Sequence, residues 1–179
     1  LYDNTTGVRN IAVGHGSLAN NTTSSNSQAI GYQALQAQTT GCQNTAIGSA
    51  SMYTSTTGNN NVAVGISTLY NNTEGHGNVA MGCVAMGANT TGDYNVGIGY
   101  RALDANTTAN SNVAVGNQAL TASTTGTGLV AIGCGALAAN TTANNNTAVG
   151  QSSLAANTTG TANVAVGKDA LDANTTADN

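Results

Sequence analysis

The sequence has no proline, no tryptophan and no phenylalanine, and only three lysines and arginines among its 179 residues. Charged residues make up 6%, against about 25% in an ordinary globular domain. Each scarcity excludes something. Three basic residues cannot build the positive footprint with which a protein holds nucleic acid. No stretch approaches the roughly 18 apolar residues of a membrane-spanning helix. A net charge of only −4 also lacks the strong self-repulsion typical of disordered chains.

What is present is one sentence repeated. "NVAMGCVAMGANTTGDY", "NVGIGYRALDANTTANS" and "NVAVGNQALTASTTGTG" follow one another without an insertion from Asn78 to Gly128. The glycine that closes the first block falls at Gly14, Gly31, Gly48, Gly65, Gly82, Gly99, Gly116, Gly133, Gly150 and Gly167, always 17 residues apart. Ten full units tile residues 10–179, and residues 1–9 are the second half of another. The whole chain is one continuous array with no linker and no second domain. It opens in mid-unit with no distinct cap at either end, so we expect a segment of a longer fibre. Positions within the unit N-V-A-V-G-x-x-A-L-x-A-N-T-T-G-x-x are called columns one to seventeen below.

A Gly/Asn/Thr/Ala-rich chain invites a disordered reading, and two columns argue against it. Column four holds Val13, Ile30, Ile47, Val64, Met81, Ile98, Val115, Ile132, Val149 and Val166. Column nine holds only leucine and methionine, from Leu18 to Leu171. "NVAV" bounded by glycine is a β-favouring run, and "ALxANTT" fits a second short strand better than a seven-residue helix. The expected fold is all-β: a parallel β-solenoid of the β-roll or β-helix kind, with one two-strand coil per 17-residue repeat. Ten coils at about 4.8 Å each make a rod of roughly 48 Å.

In-register stacking puts like on like. The asparagines of column one (Asn10, Asn44, Asn61, Asn78, Asn95, Asn112, Asn146 and Asn163) can then form an amide ladder. The fixed glycine marks a corner that needs positive φ or close approach. Columns four and nine are expected to be buried, and columns six, seven and ten exposed. With valine inside, alternation sends the alanines of column three outward as an apolar stripe for another chain. Columns six, seven, ten and sixteen vary and are read as outward corners.

No catalytic, cofactor or metal constellation is legible. His15 and His76 stand in different columns, and metal sites need converging donors. The acids Asp3, Glu74, Asp93, Asp104, Asp169, Asp172 and Asp178 are scattered. Cys83 and Cys134 share column six three units apart, roughly 14 Å in a stack and beyond disulfide reach. The sequons at Asn89 and Asn157 recur because the unit recurs, and a turn asparagine before threonine explains them.

The pattern N-x-A-V-G-x-x-A/S-L resembles the head repeats of trimeric autotransporter adhesins. "NTAIGSASM", "NTAVGQSSL" and "SQAIGYQAL" are also similar to the NTAVGYQAL…NTTG repeats of bacteriophage tail fibres. The resemblance covers all ten units, although the unit is longer than that of the adhesin heads. It implies a left-handed roll, a homotrimer, and an extracellular place on a virion tail fibre or cell surface. The implied role is a non-enzymatic structural and adhesive shaft. Its partner would be itself, with a host glycan or protein receptor met through a flanking tip. Two alternatives stand beside it: a self-assembling, glycosylated extracellular filament, and an ice-binding solenoid suggested by the threonines of columns thirteen and fourteen. Adjacent threonines on a strand point to opposite faces, so they offer one outward rank rather than a flat double array.

Overall fold

Glycine at column five has φ between 123° and 140° at every repeat, a region closed to side-chain-bearing residues. It ends a three-residue strand and turns the chain. In the computed structural model, which describes residues 1–178, this happens ten times. The strands run from β1 (Ile11–Val13) and β2 (Gln28–Ile30) to β10 (Val164–Val166), one per 17-residue coil. They form a single ten-stranded parallel sheet in sequence order, with each residue paired to its counterpart 17 residues on, as in Ala12 with Ala29. The all-β parallel solenoid is therefore observed, and the described residues contain no helix.

The second strand expected at "ALxANTT" is absent. That segment is a series of turns, because columns seven and nine adopt left-handed backbone, as at Gln33 (φ 56°) and Leu35 (φ 50°). Coils are nevertheless hydrogen-bonded around much of their circumference. The N–H groups of Leu35 and Ala37 donate forward to Ser51 and Tyr53. Those of Gly31 and Gln33 donate back to Val13 and His15. Left-handed residues turn successive peptides towards the coil above or below, so the turns serve the stack as a strand would.

The inside and outside of the strand are the reverse of the sequence expectation. Column three is buried, with Ala29, Ala46, Ala63, Ala80, Ala114, Ala131 and Ala148 fully enclosed. Columns two and four face outward, and the interior strands show the pattern half-buried, buried, half-buried or exposed. The cause is volume. The core of this thin coil is filled by column nine, whose leucines and methionines from Leu18 to Leu154 are all inaccessible. A Cβ added to Gly97, in column three, would stand 2.8 Å from Cγ of Met86, in column nine. Only a methyl or a hydrogen fits opposite such a side chain, so a row of valine would overpack. The expectation for column nine holds; that for column four does not.

Two asparagine columns flank this apolar centre. In column one, Oδ1 of each asparagine from Asn10 to Asn146 accepts the backbone N–H of the next coil, as Asn44 does from Asn61 and Asn95 from Asn112, at 2.9 and 3.0 Å. Its Nδ2 donates to a column-fifteen carbonyl, as from Asn95 to Ala109 at 2.8 Å. The expected ladder is there, but it runs mainly from side chain to backbone. A true amide-on-amide ladder lies in column twelve, where Asn106 donates to Asn89 and Asn89 to Asn72, each at 2.7 Å. All these asparagines are fully buried, and each bond satisfies a polar group that would otherwise be costly inside.

Candidate functional site: the outward columns

With the interior occupied by columns one, three, eight, nine, twelve and fifteen, anything the rod binds must meet the remaining columns. One such surface is the outer face of the sheet. Columns two and four place seventeen apolar residues at twenty positions on it, the exceptions being Gln28, Thr45 and Thr147. Ile30, Ile47, Met81 and Ile132 are 38–42% exposed although each lies within the sheet. The result is an uncharged strip of mostly β-branched apolar side chains along the sheet, interrupted only in column two. The stripe that sequence reasoning placed on alanine thus exists, one residue to either side of it. A signal was available. Column three admits only alanine and, once, glycine, the size limit of a packed position, whereas column two admits glutamine and threonine.

Column six is exposed nearly throughout, as expected, and carries a His15–Tyr32 stack with ring centroids 5.7 Å apart. Columns seven and ten are mostly half-buried rather than free. Column ten stacks Tyr53 on Tyr70 at 5.2 Å. Between the two columns Arg101 Nε meets Asp104 Oδ2 at 2.8 Å, and this bonded carboxylate holds the guanidinium above its ordinary pKa.

Column sixteen is not a free corner. Except at Thr127 and Thr161, its side chain accepts the backbone N–H of the preceding coil's column-sixteen residue. Cys42 donates to Asn59 Oδ1, Asn59 to His76 Nδ1, His76 to Asp93 Oδ1 and Asp93 to Asn110 Oδ1, at 2.6–3.0 Å. The variety of this column is a variety of short acceptors. His76 and Asp93 are therefore members of a ladder, and no group of three or more His, Cys, Asp or Glu side chains able to hold a metal occurs among the described residues.

The threonine columns also divide. Column thirteen is half-buried in the interior coils, and its hydroxyl donates to the next coil's carbonyl, as from Thr90 to Thr107 at 3.0 Å. Column fourteen alone is fully outward. Asn89 and Asn157 are inaccessible and committed to the column-twelve ladder, so neither amide can accept a glycan in the folded coil. Cys42, Cys83 and Cys134 are free thiols. Among the described residues no helix is long and apolar enough to cross a membrane. Comparison with protein-family models, with curated proteins and with solved structures finds no match to this chain.

Proposed function

We propose that the array is the shaft of an extracellular fibre, in which three copies lie parallel with their sheet faces turned to a common axis. It acts mechanically, as a stiff spacer that holds a receptor-binding tip away from a virion or cell surface, and performs no catalysis. The observation that carries this reading is the uncharged strip of columns two and four, which runs along all ten strands and is apolar at every position of column four and at seven of ten in column two. A monomer rarely leaves such a surface in water. The strip is three residues wide, about 10 Å. Three strips of that width enclose a narrow triangular core that two rows of Val and Ile from each chain can fill. Rotation about the rod axis keeps all three repeats in register and leaves no apolar edge. The similarity to adhesin heads and tail fibres supports the same arrangement and a left-handed coil, by analogy.

The threonine geometry gives no flat hydroxyl array, which weighs against ice binding. The buried sequons of column twelve weigh against a filament glycosylated at those sites.

Light scattering on the soluble array tests the proposal. The expected mass is three times the 17.5 kDa chain. A monodisperse monomer, folded and soluble at high concentration, overturns it. A cryo-EM cross-section of the same sample reports the chain number and the coil outline together.

A further inference from the structure

We infer that the flank of the rod carries one binding groove for a pyranose ring, centred on the fifth coil between Tyr70 and Asp104. The groove has a volume of about 380 Å³ and is lined by Ser67, Tyr70 and Asn71 from one coil, Val84 and Ala88 from the next, and Asp104 from the one after. It lies where the repeat is broken twice. Column ten has Gly87, which removes the side chain from the rung between Tyr70 and Asp104. Column seven has Val84, the sole β-branched residue among the non-glycine residues with positive φ, at 59°. A stack built of near-identical coils thus differs from itself in both columns that face one hollow.

Its chemistry fits a sugar. One face of the Tyr70 ring is covered by Tyr53 and the ring lies at the groove wall. An aromatic face of this kind packs against the C–H face of a pyranose. Across the groove, two coils or roughly 9.6 Å away along the axis, Asp104 offers a carboxylate. Its Oδ2 is bonded to Arg101, while its Oδ1 leans over Gly87, 3.1 Å from where a Cβ would be, and has no hydrogen-bond partner among the described residues. Because Arg101 already balances the charge, the free oxygen suits a neutral hydroxyl donor better than a cation. Ser67 and Asn71 add residues with polar groups to the lining, and Val84 and Ala88 apolar ones. The volume is at the lower end for a ligand site and fits one ring, not an oligomer. No residue of columns two or four lines the groove, so it stands whether or not three rods associate.

Saturation-transfer NMR on the full chain tests this with the methyl glycosides of glucose, galactose, mannose and N-acetylglucosamine. At least one is expected to show transfer to its ring protons that saturates in the millimolar range. Gly87→Tyr, which would continue the Tyr53–Tyr70 stack into the hollow, should abolish it. Tyr70→Thr, which places in column ten a residue already found there at Thr121, should weaken it roughly tenfold. If Gly87→Tyr disturbs the circular dichroism, the Tyr70→Thr comparison decides. No transfer from any of the four glycosides overturns the inference. So does equal transfer in wild type and Tyr70→Thr, or binding of N-acetyl-argininamide, a guanidinium probe, in place of all four sugars.

Discussion

Met86 reaches over Gly97: its Cγ and Sδ stand 2.8 and 3.1 Å from the point a Cβ on Gly97 would occupy. Column nine of one coil therefore packs on column three of the next, and the interior has room for one large side chain and one small one. Ala114→Val should cost about 1–3 kcal/mol through overpacking. Val115→Thr, on the outward side of the same strand, should leave the melting temperature of the isolated coil stack nearly unchanged. Equal losses in thermal denaturation would contradict the observed facing of the strand.

Column nine also carries a backbone rule. Leu120 has φ 52°, and all ten residues of its column lie between 48° and 53°. Left-handed backbone is hardest on β-branched side chains. Leu120→Met should therefore be mild, since methionine already stands at Met52 and Met86. Leu120→Ile, with the same volume, should cost about 2 kcal/mol or more. Chemical denaturation of both variants measures the gap, and similar midpoints would refute it.

Glycines of two columns should respond differently to a methyl group. Gly116 combines φ 139° with a carbonyl oxygen, Gly133 O, 2.5 Å from the site of a Cβ. Gly116→Ala should cost about 2 kcal/mol or more and loosen neighbouring coils with it. Gly92, in column fifteen, has the Ala109 carbonyl oxygen equally close to the site of a Cβ, but it lacks the positive φ, and alanine stands in that column at Ala109 and Ala143. Gly92→Ala should therefore cost less than Gly116→Ala, by the share that the strained φ contributes. Hydrogen exchange of the flanking amides would separate the two.

The column-twelve ladder has gaps that can be repaired. Ser55 stands where asparagine is usual, and its buried hydroxyl has no partner. Ser55→Asn would let Asn72 donate to it and continue the ladder towards Gln38. One added buried bond is worth about 1 kcal/mol and should raise the melting temperature by roughly 2–4 °C. A lower melting temperature would show that the gap is filled in some other way.

Asp178 gives the chain an acid-sensitive contact. Its Oδ1 accepts the Thr161 N–H at 2.6 Å and the Thr161 hydroxyl at 3.0 Å, bonds that hold its pKa below the ordinary carboxylate value. A depressed carboxylate contributes stability above the ordinary range and loses it as pH falls through the lowered value. The Thr161 amide resonance should therefore titrate below the ordinary carboxylate midpoint, and Asp178→Asn should remove that step. A midpoint in the usual range would show the bonds to be absent in solution.

The sequence by itself determined the coil. An unbroken 17-residue period permits only in-register stacking, since one inserted residue would turn every following side chain of a strand to the wrong face. The glycine of column five, the burial of column nine and a role for the column-one asparagines followed from the same regularity. Which side of the strand faces inward was decided by the tertiary structure. Alternation requires columns two and four to share a face opposite column three, but does not say which face is inside. Hydrophobicity favoured valine; the space left beside Leu120 and its counterparts favoured alanine. Column sixteen was misjudged for a related reason. Ser25, Cys42, Asn59, His76 and Asp93 look unlike one another in sequence, and only the approach of each to the preceding coil's N–H shows that they perform one task. The groove at Gly87 was likewise invisible until stacking brought Tyr70 and Asp104, 34 residues apart, to its two ends. Periodicity records what every coil must do; the space between particular coils exists only once they are stacked.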